Sequence, residues 1–225
     1  MATCRGRHTT ASVRADLLPQ VRGEWEEATA GDPGYFDAVY ADRSLTTQVT
    51  DNVPTSSSSQ PSLMIQMLEG LGIEDGDRVG EVATGTGYNG GLVCHRIGDK
   101  NFWTMEVDAD LAQLAKARFD ECGYHPPVVT GDAREGFAGA LSLDRLVVTC
   151  SFDRFPYALA RSVRRGGIIV CPLGWGNARL TVHGDGTLQG NFLAGGSYFM
   201  RAREDGGTVR CRTRASPSRS RSEPR

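Results

Sequence analysis

The chain has 225 residues, of which 39% are hydrophobic and 23% are charged, and its formal net charge at pH 7 is −2. This length suits one α/β domain of ordinary size, and the small net charge gives no general reason to expect a nucleic acid or an anionic membrane as a partner. No apolar run approaches the roughly 20 residues that a membrane-spanning helix needs. The charged N-terminal residues are not followed by the apolar core of a secretion signal.

The six cysteines are scattered and contain no C-x-x-C pair. This pattern favours reduced, mostly buried thiols, and it argues against a disulfide framework or a metal site. We therefore expect a cytoplasmic protein that holds no metal.

Composition divides the chain into three zones. Residues 1–50 form a polar N-terminal extension, residues 51–203 carry most of the hydrophobic residues, and residues 204–225 are rich in Arg and Ser. The last zone has almost no hydrophobic residues and is expected to be disordered. Its positive charge could recruit an acidic peptide or a nucleic acid, but we favour a dispensable or frame-altered end and do not expect a nucleic-acid partner.

Helical and strand patterns alternate through residues 51–203. Pro61 near the start and Gly72 past the end bound the first helix, in which five apolar residues share one face. Further helices are expected to end near Ile97, to carry residues 111–122, and to span 156–164. The expected strands are 77–83, 102–107, 128–130, 143–150, 168–171, 178–183 and 192–201, the last two joined by a turn at Asp185-Gly186. This alternation predicts an α/β fold with a doubly wound, mostly parallel sheet and a C-terminal antiparallel hairpin.

The segment Val79–Gly90 reads as a strand, a tight turn of small residues and the start of a helix. In α/β sheets this is where a nucleotide-like cofactor binds. Gly85-x-Gly87-x-x-Gly90 matches the dinucleotide pattern, and Glu106 follows Gly85 by 21 residues, near the ribose-binding spacing.

Glu81 favours a different cofactor. A carboxylate at the end of this strand would repel the pyrophosphate of a dinucleotide but attract the sulfonium and ammonium groups of S-adenosylmethionine. No Lys or Arg lies between Glu81 and Asn89 to favour a phosphate. We favour the methyl donor, with a dinucleotide or an ordinary strand–helix turn as the alternatives.

Carboxylates follow three successive strands of the expected sheet: Glu81, Glu106 and Asp132. A carboxylate ending the second strand can accept both ribose hydroxyl groups, and one after the third can accept from the adenine amino group. Asp108 could also reach the ribose, but we expect it to be the N-cap of the next helix.

The segment Asn52–Pro61 contains four consecutive serines just before the first helix. Composition alone predicts a flexible linker. Because the run adjoins a helix that begins with proline, its hydroxyl and backbone N–H groups could instead form a small anion-holding turn.

Several motifs within residues 45–203 together resemble the protein-L-isoaspartate O-methyltransferase family. They are Ser59-Gln-Pro61, Glu81-x-Ala-x-Gly-x-Gly-Tyr88, Glu106, Gly131-Asp132, Asp144-Arg-Leu-Val-Val-Thr149 and Arg165-Gly-Gly-Ile-Ile-Val-Cys-Pro172. The serine-rich element and Cys150 look closest to a branch encoded beside ATP-grasp ligases, which methylates aspartates of ribosomally made peptides.

This resemblance implies a Rossmann-like methyltransferase sheet that binds S-adenosyl-L-methionine. It implies transfer of the methyl group to an isoaspartyl or aspartyl carboxylate of a protein or peptide, for repair or for peptide maturation. No general base is then needed, because such a carboxylate is already ionised at pH 7.

The resemblance also implies roles for individual residues. Ser59 corresponds to the active-site serine that contacts the substrate carboxylate, and Ser57, Ser58, Thr149 and Cys150 to its surroundings. The implied cofactor-binding residues are Glu81, Ala83, Thr84, Gly85, Thr86, Gly87, Glu106, Val107, Asp132 and Ala133.

Two positions depart from the family pattern. Ala83 stands where the family has the first glycine of its loop, and it is tolerable there if its φ is negative. Gly80 replaces a large apolar residue and is expected to loosen the packing of its strand. These departures keep open the alternative of a degenerate, non-catalytic S-adenosylmethionine-binding module. A small-molecule methyltransferase is the other alternative, and the Ser59-Gln-Pro61 element argues against it.

Overall fold

The computed structural model describes residues 20–21, 24–25, 27–137 and 142–203. Residues 204–225 and residues 1–19 of the polar extension, which include Cys211 and Cys4, lie outside the described residues. The elements in chain order are β1 (Gln20–Val21), β2 (Glu24–Trp25), α1 (Tyr35–Val39), β3 (Leu45–Thr50), β4 (Val53–Ser58), α2 (Pro61–Leu71), β5 (Val79–Val82), α3 (Tyr88–Ile97), β6 (Phe102–Glu106), α4 (Ala109–Glu121), β7 (Val128–Thr130), β8 (Leu143–Val148), α5 (Tyr157–Arg161), β9 (Val163–Leu173), β10 (Gly176–Val182) and β11 (Leu188–Phe192). Short 3-10 helices span Asp99–Asn101 and Ala133–Glu135.

A seven-stranded sheet in the order β11-β10-β9-β8-β5-β6-β7 forms the centre of the molecule. The neighbouring strands β9, β8, β5, β6 and β7 are parallel to one another. Strand β10 pairs antiparallel with β9, and β11 pairs antiparallel with β10. From β5 the chain moves outward to β7 and then returns to β8 on the other side of β5. The predicted doubly wound sheet with a C-terminal antiparallel hairpin is confirmed, and its strand order reverses between β5 and β8, where such sheets bind ligands.

Both faces of the central strands are buried. Val79, Phe102 and Val147 pack with α2, α3 and α4 on one face. Their neighbours Val82, Met105 and Leu146 pack with α5 on the other. Because side chains alternate between two covered faces, these strands read as nearly continuous apolar runs.

Helix α2 has the predicted bounds. Pro61 occupies its first turn, and Gly72 ends it in the left-handed region with φ 63°. Met64, Met67 and Leu71 are buried against the sheet. The helix therefore fixes the position of the serine segment that precedes it.

The serine run forms a β-strand, so the prediction of a flexible linker is wrong for Val53–Ser58. Strand β4 pairs with β3 in an antiparallel hairpin. Asp51 and Asn52 form its turn with φ values of 50° and 61°, the conformation of a type I′ hairpin turn that Asp and Asn tolerate.

The last strand differs from its prediction. The turn at Asp185-Gly186 is present, but β11 follows it directly as Leu188–Phe192, and the predicted strand 192–201 is wrong. The backbone turns at Gly195, where φ is 81°. Residues 199–203, the closing segment, then run back over the sheet edge, where Arg201 forms an isolated parallel bridge with Ser151.

Gly80 does not loosen its strand, contrary to the expectation. A Cβ atom at this position would lie 2.5 Å from Leu143 Cδ1 and 3.2 Å from Leu146 Cδ1. Leu143 and Leu146 are fully buried. Neighbouring side chains therefore fill the space that a larger residue 80 would need.

Candidate active site

The loop between β5 and α3 lies at the carboxyl edge of the sheet, beside the point where strand order reverses. Gly85 and Gly87 have φ values of 52° and 80°, and Gly87 is the N-cap of α3. A Cβ atom at Gly85 would lie 3.7 Å from Ser56 Oγ and from the Ser57 carbonyl oxygen, so the β3–β4 hairpin packs against this loop.

Ala83 has a φ of 69°, so the negative φ that would make its methyl group tolerable in the loop is not present. Its N–H donates to the Met105 carbonyl, and its own carbonyl accepts from Thr149 Oγ1, so both neighbouring strand ends hold this conformation. For a residue with a Cβ atom the left-handed region costs about 1 kcal/mol or more. The loop is therefore strained at the position where the family has glycine.

Glu81 is 1% exposed and points toward α3 and β6. Its carboxyl oxygens accept hydrogen bonds of 2.7 Å from Asn89 Nδ2 and from Thr104 Oγ1. Burial raises the pKa of Glu81 to about 7, although these two bonds oppose the shift. The carboxyl therefore titrates near neutral pH.

Glu106 ends β6 and is also buried. Its carboxylate accepts from the N–H groups of Gly85 at 2.9 Å, Val107 at 3.0 Å and Asp108 at 3.2 Å. A carboxylate can accept about four hydrogen bonds, so Glu106 retains capacity for a ligand hydroxyl while it ties the loop to the end of β6.

Asp108 is the N-cap of α4, as predicted, and accepts from the N–H groups of Asp110 and Leu111. Its second oxygen accepts from Gln48 Nε2 on β3 at 3.2 Å and from Arg203 on the closing segment at 3.3 Å. The hairpin and the closing segment thus meet beside the end of β6.

Asp132 follows β7 and accepts from the N–H of Arg134 at 2.8 Å and from its guanidinium at 2.9 Å. Ala133 between them is buried. The same guanidinium donates to the carbonyls of Ala202 and Arg203 and lies 5.9 Å from the centre of the Phe152 ring. Arg134, which the sequence analysis did not single out, therefore links the end of β7 to the closing segment.

The serine segment approaches the site from β4. Ser57 and Ser58 end this strand, and the half-buried Ser59 lies between it and α2. The carboxylate of Asp42 accepts from the Ser62 N–H at 2.9 Å and from Gln60 Nε2 at 3.0 Å. The start of α2 does hold an anion, and this anion is a side chain of the protein itself.

The remaining predicted residues lie at the ends of β5, β6 and β8. Thr149 donates to the Val82 and Ala83 carbonyls at 3.0 Å, and Cys150 beside it is buried with its pKa raised by burial to about 12. Thr84 is buried and lies 2.6 Å from Thr104 Oγ1, so its hydroxyl faces the interior. Thr86 accepts from Arg118 through its carbonyl.

A pair of exposed aromatic side chains stands on the same sheet edge. Trp175, in the β9–β10 turn, and Tyr198 are each 81% exposed, and their ring centres lie 6.3 Å apart. The Ser197 N–H donates to the Trp175 carbonyl, and the Ser151 hydroxyl donates to the Phe199 carbonyl. This pair therefore lies near the end of β8. The sequence did not single out this pair, because Trp175 is in a turn and Tyr198 lies in an irregular segment.

Comparison with known proteins agrees with this geometry. A solved protein-L-isoaspartate O-methyltransferase superposes with a TM-score of 0.65 at 26% identity, over 78% of this chain and 57% of that one. A structure from Plasmodium falciparum in complex with S-adenosyl-L-homocysteine has a TM-score of 0.57 at 13% identity and shows the fold alone. The doubly wound sheet and its loop define the Rossmann-like methyltransferase class.

The family follows from the sequence model. Residues 28–190 match the protein-L-isoaspartate(D-aspartate) O-methyltransferase model, and the chain belongs to this family. It is 33% identical to an enzyme from Ignicoccus hospitalis over 117 residues, and 35% identical to one from Koribacter versatilis over 141 residues. These alignments cover 51% and 62% of this chain and 56% and 60% of the relatives, so the chain spans less than two thirds of their length. Both relatives carry the name protein-L-isoaspartate O-methyltransferase.

No helix within the described ranges is long and apolar enough to cross a bilayer.

Proposed function

We propose that this protein is a carboxyl O-methyltransferase that uses S-adenosyl-L-methionine to methylate an isoaspartyl or aspartyl side chain of a protein or peptide. The observation that carries the proposal is the loop at the β5 end, where the buried carboxyl of Glu81 has no cationic partner among the described residues. A buried carboxyl group beside the loop favours a cationic cofactor over an anionic pyrophosphate.

The cofactor-binding roles follow the sheet edge. We assign the loop of Ala83–Gly87 to the methionine portion, and Glu106 with Val107 to the ribose, because Glu106 retains an acceptor site beside the loop. Asp132 and Ala133 are assigned to the adenine. When bound, the cofactor supplies a methyl group on a sulfonium that is its own leaving group.

The protein's task is then to hold the accepting carboxylate in line, since the carboxylate is already ionised at neutral pH. Asp42 engages the Ser62 N–H, and Pro61 has no N–H to offer. The resemblance to the family assigns the hydroxyl of Ser59 as the donor to the substrate carboxylate, with Ser57, Ser58, Thr149 and Cys150 around it.

Trp175 and Tyr198 support a peptide rather than a small molecule as substrate. Exposed neighbouring aromatic rings commonly mark surfaces that bind other polypeptides, and these two stand beside the end of β8. We propose an action on proteins or peptides of the cytoplasm. Damaged proteins and a dedicated precursor peptide are the two candidate sources of the substrate.

The experiment combines binding with methyl transfer. Calorimetry should detect binding of S-adenosyl-L-methionine, and transfer of a labelled methyl group should be compared between an isoaspartyl peptide and the same peptide with aspartate. Preference for the isoaspartyl form supports repair, and preference for the aspartyl form supports peptide maturation. Cofactor binding without any transfer would favour a non-catalytic binding module, and absence of binding at millimolar cofactor would refute the proposal.

A further inference from the structure

Glu81 is a fully buried carboxyl group, and among the described residues its surroundings contain donors but no cation. Asn89 and Thr104 supply its two hydrogen bonds, and the ion pairs of the described residues involve other carboxylates. An unpaired buried charge is costly. The ionised group is therefore stabilised when a positive charge arrives from outside the chain.

Asn89, which donates to Glu81, also carries a buried acceptor atom without a hydrogen-bond partner among the described residues. Its Oδ1 atom is buried and makes no hydrogen bond, while its Nδ2 atom donates to Glu81. Rotation of this amide would bring the oxygen to Glu81, where it could accept a hydrogen bond from the neutral carboxyl group. The same side chain can thus satisfy both the ionised and the neutral form.

Two threonines connect Glu81 to the cofactor loop. The Thr104 hydroxyl lies 2.7 Å from a Glu81 oxygen and 2.6 Å from the Thr84 hydroxyl. Each hydroxyl has a single proton to donate. When Glu81 is ionised, Thr84 donates to Thr104 and Thr104 to Glu81; when Glu81 is protonated, both bonds can reverse. The state of the buried carboxyl therefore reaches Thr84 in the loop.

We propose that Glu81 makes the site selective for the positively charged methyl donor over its uncharged-sulfur product, S-adenosyl-L-homocysteine, by releasing a proton when the donor binds. This inference rests on the proposed function. The carboxyl proton passes to solvent as the sulfonium arrives, and no bond of the cofactor is formed or broken. After transfer the sulfur is neutral and the ammonium group is the only positive charge left on the product, so Glu81 takes up a proton again and attracts the product less strongly than the donor.

The charged and titratable groups around Glu81 are consistent with a carboxyl that is protonated before the donor binds and ionised afterwards. Burial is the largest cause of its raised pKa of about 7, and the carboxylate of Glu106 on β6 raises it further. Cys94 on α3 has its own pKa raised to about 12 by burial and stays neutral. A bound cation is thus the main influence that would lower the pKa of Glu81.

The test is calorimetric titration of the full chain with each ligand between pH 6 and pH 8.5, in buffers of different ionisation enthalpy. If the donor lowers the pKa of Glu81 from about 7 to below 6, donor affinity should be about tenfold weaker at pH 6 than at pH 8. Product affinity should change much less, and donor binding should release protons near pH 7. An affinity ratio that does not vary with pH would overturn the inference.

The variant Glu81→Gln isolates the contribution of this carboxyl from that of the ligand's own amino group. Glu81→Gln should remove most of the pH dependence of the ratio of donor affinity to product affinity. Glu121→Gln, the same change at an exposed position of α4, should retain this pH dependence. A ratio in Glu81→Gln that still varies tenfold contradicts the inference.

A second variant covers the case in which Glu81→Gln fails to fold. Thr104→Val keeps the carboxyl but removes a donor to its ionised form, so the midpoint of donor affinity should move to higher pH. An unmoved midpoint contradicts the inference. If neither ligand binds at any pH, the proposed function fails and this inference fails with it; if both bind with a constant ratio, only the inference fails.

Discussion

Arg203 donates a hydrogen bond of 3.3 Å to Asp108, a residue 95 positions earlier in the chain. The same carboxylate oxygen accepts from Gln48 of the β3–β4 hairpin. Two segments that are distant in sequence are therefore joined at the first turn beyond β6, next to the proposed ribose site. Because the junction lies beside that site, its strength should influence how easily a ligand reaches the site.

Replacement of Arg203 should loosen the closing segment. In Arg203→Gln the charge that pairs with Asp108 is lost, and the amide of Ala202, which donates to Ser151, should exchange with solvent two- to fivefold faster, as expected for a pair worth under about 1 kcal/mol. Hydrogen exchange by mass spectrometry measures this. Arg201→Gln is the matched control, because its pair with Asp153 is largely exposed. Equal acceleration in both variants would contradict the assignment.

Glycine at position 83 should stabilise the protein. Ala83→Gly removes the strain of a φ of 69°, and the free energy of unfolding should rise by about 1 kcal/mol. The control is Ala117→Gly on the exposed side of α4, where the same substitution should cost about 1 kcal/mol. Urea denaturation of both variants checks the opposite signs. A loss of stability in Ala83→Gly would mean that the strain is absent.

Gly80 and Leu143 should be energetically coupled. Gly80→Ala places a methyl group 2.5 Å from Leu143 Cδ1 and should cost about 1–3 kcal/mol of unfolding free energy. In a Leu143→Ala background the clashing atom is gone, so the same change should cost much less. A double-mutant cycle in urea measures the coupling. Additive costs would show that the two side chains do not compete for this space.

Glu81 should make stability fall as the pH rises. Its pKa is raised from 4.5 to about 7 in the folded protein, so between these values the unfolded chain loses the proton and the folded protein keeps it. The loss by pH 8 should be on the order of 3 kcal/mol. Glu81→Gln should therefore be more stable than the natural protein at pH 8 and lack this slope. Urea denaturation at several pH values in the absence of ligand measures both, and an unchanged slope would show that another group causes it.

Ser59 should matter for the peptide and little for the cofactor. Loss of one hydrogen bond to a charged carboxylate corresponds to a roughly 10- to 100-fold lower kcat/KM for peptide methylation in Ser59→Ala. Affinity for S-adenosyl-L-methionine by calorimetry should change little. Ser62→Ala, three residues further on the exposed start of α2, is the control. Equal effects of the two changes on kcat/KM would argue against a specific role for Ser59.

Periodicity predicted the helices and the parallel strands well, because both faces of the sheet are buried and the pattern is strong. Helix α2 begins and ends as predicted, and Asp108 caps α4. Strand ends also placed Glu81, Glu106 and Asp132 on one edge. These features depend on local sequence and on the topology of a parallel sheet.

The errors come from contacts that lie far apart in sequence. The serine run is a strand because β3 pairs with it, and Arg134 matters because it holds the carbonyls of the closing segment. Composition alone does not reveal such partners. The sign of φ at Ala83 is likewise set by its hydrogen bonds to Met105 and Thr149.

The close approach of Leu143 and Leu146 to Gly80 also restricts the order in which this protein could change. A larger residue at position 80 is harmful as long as Leu143 keeps its present size. Shortening Leu143 first would open a cavity in the core before the new side chain arrived to fill it. Each single step loses stability, so the two positions are expected to change together or to pass through a destabilised intermediate, and a relative's β5 sequence could not be transplanted here alone.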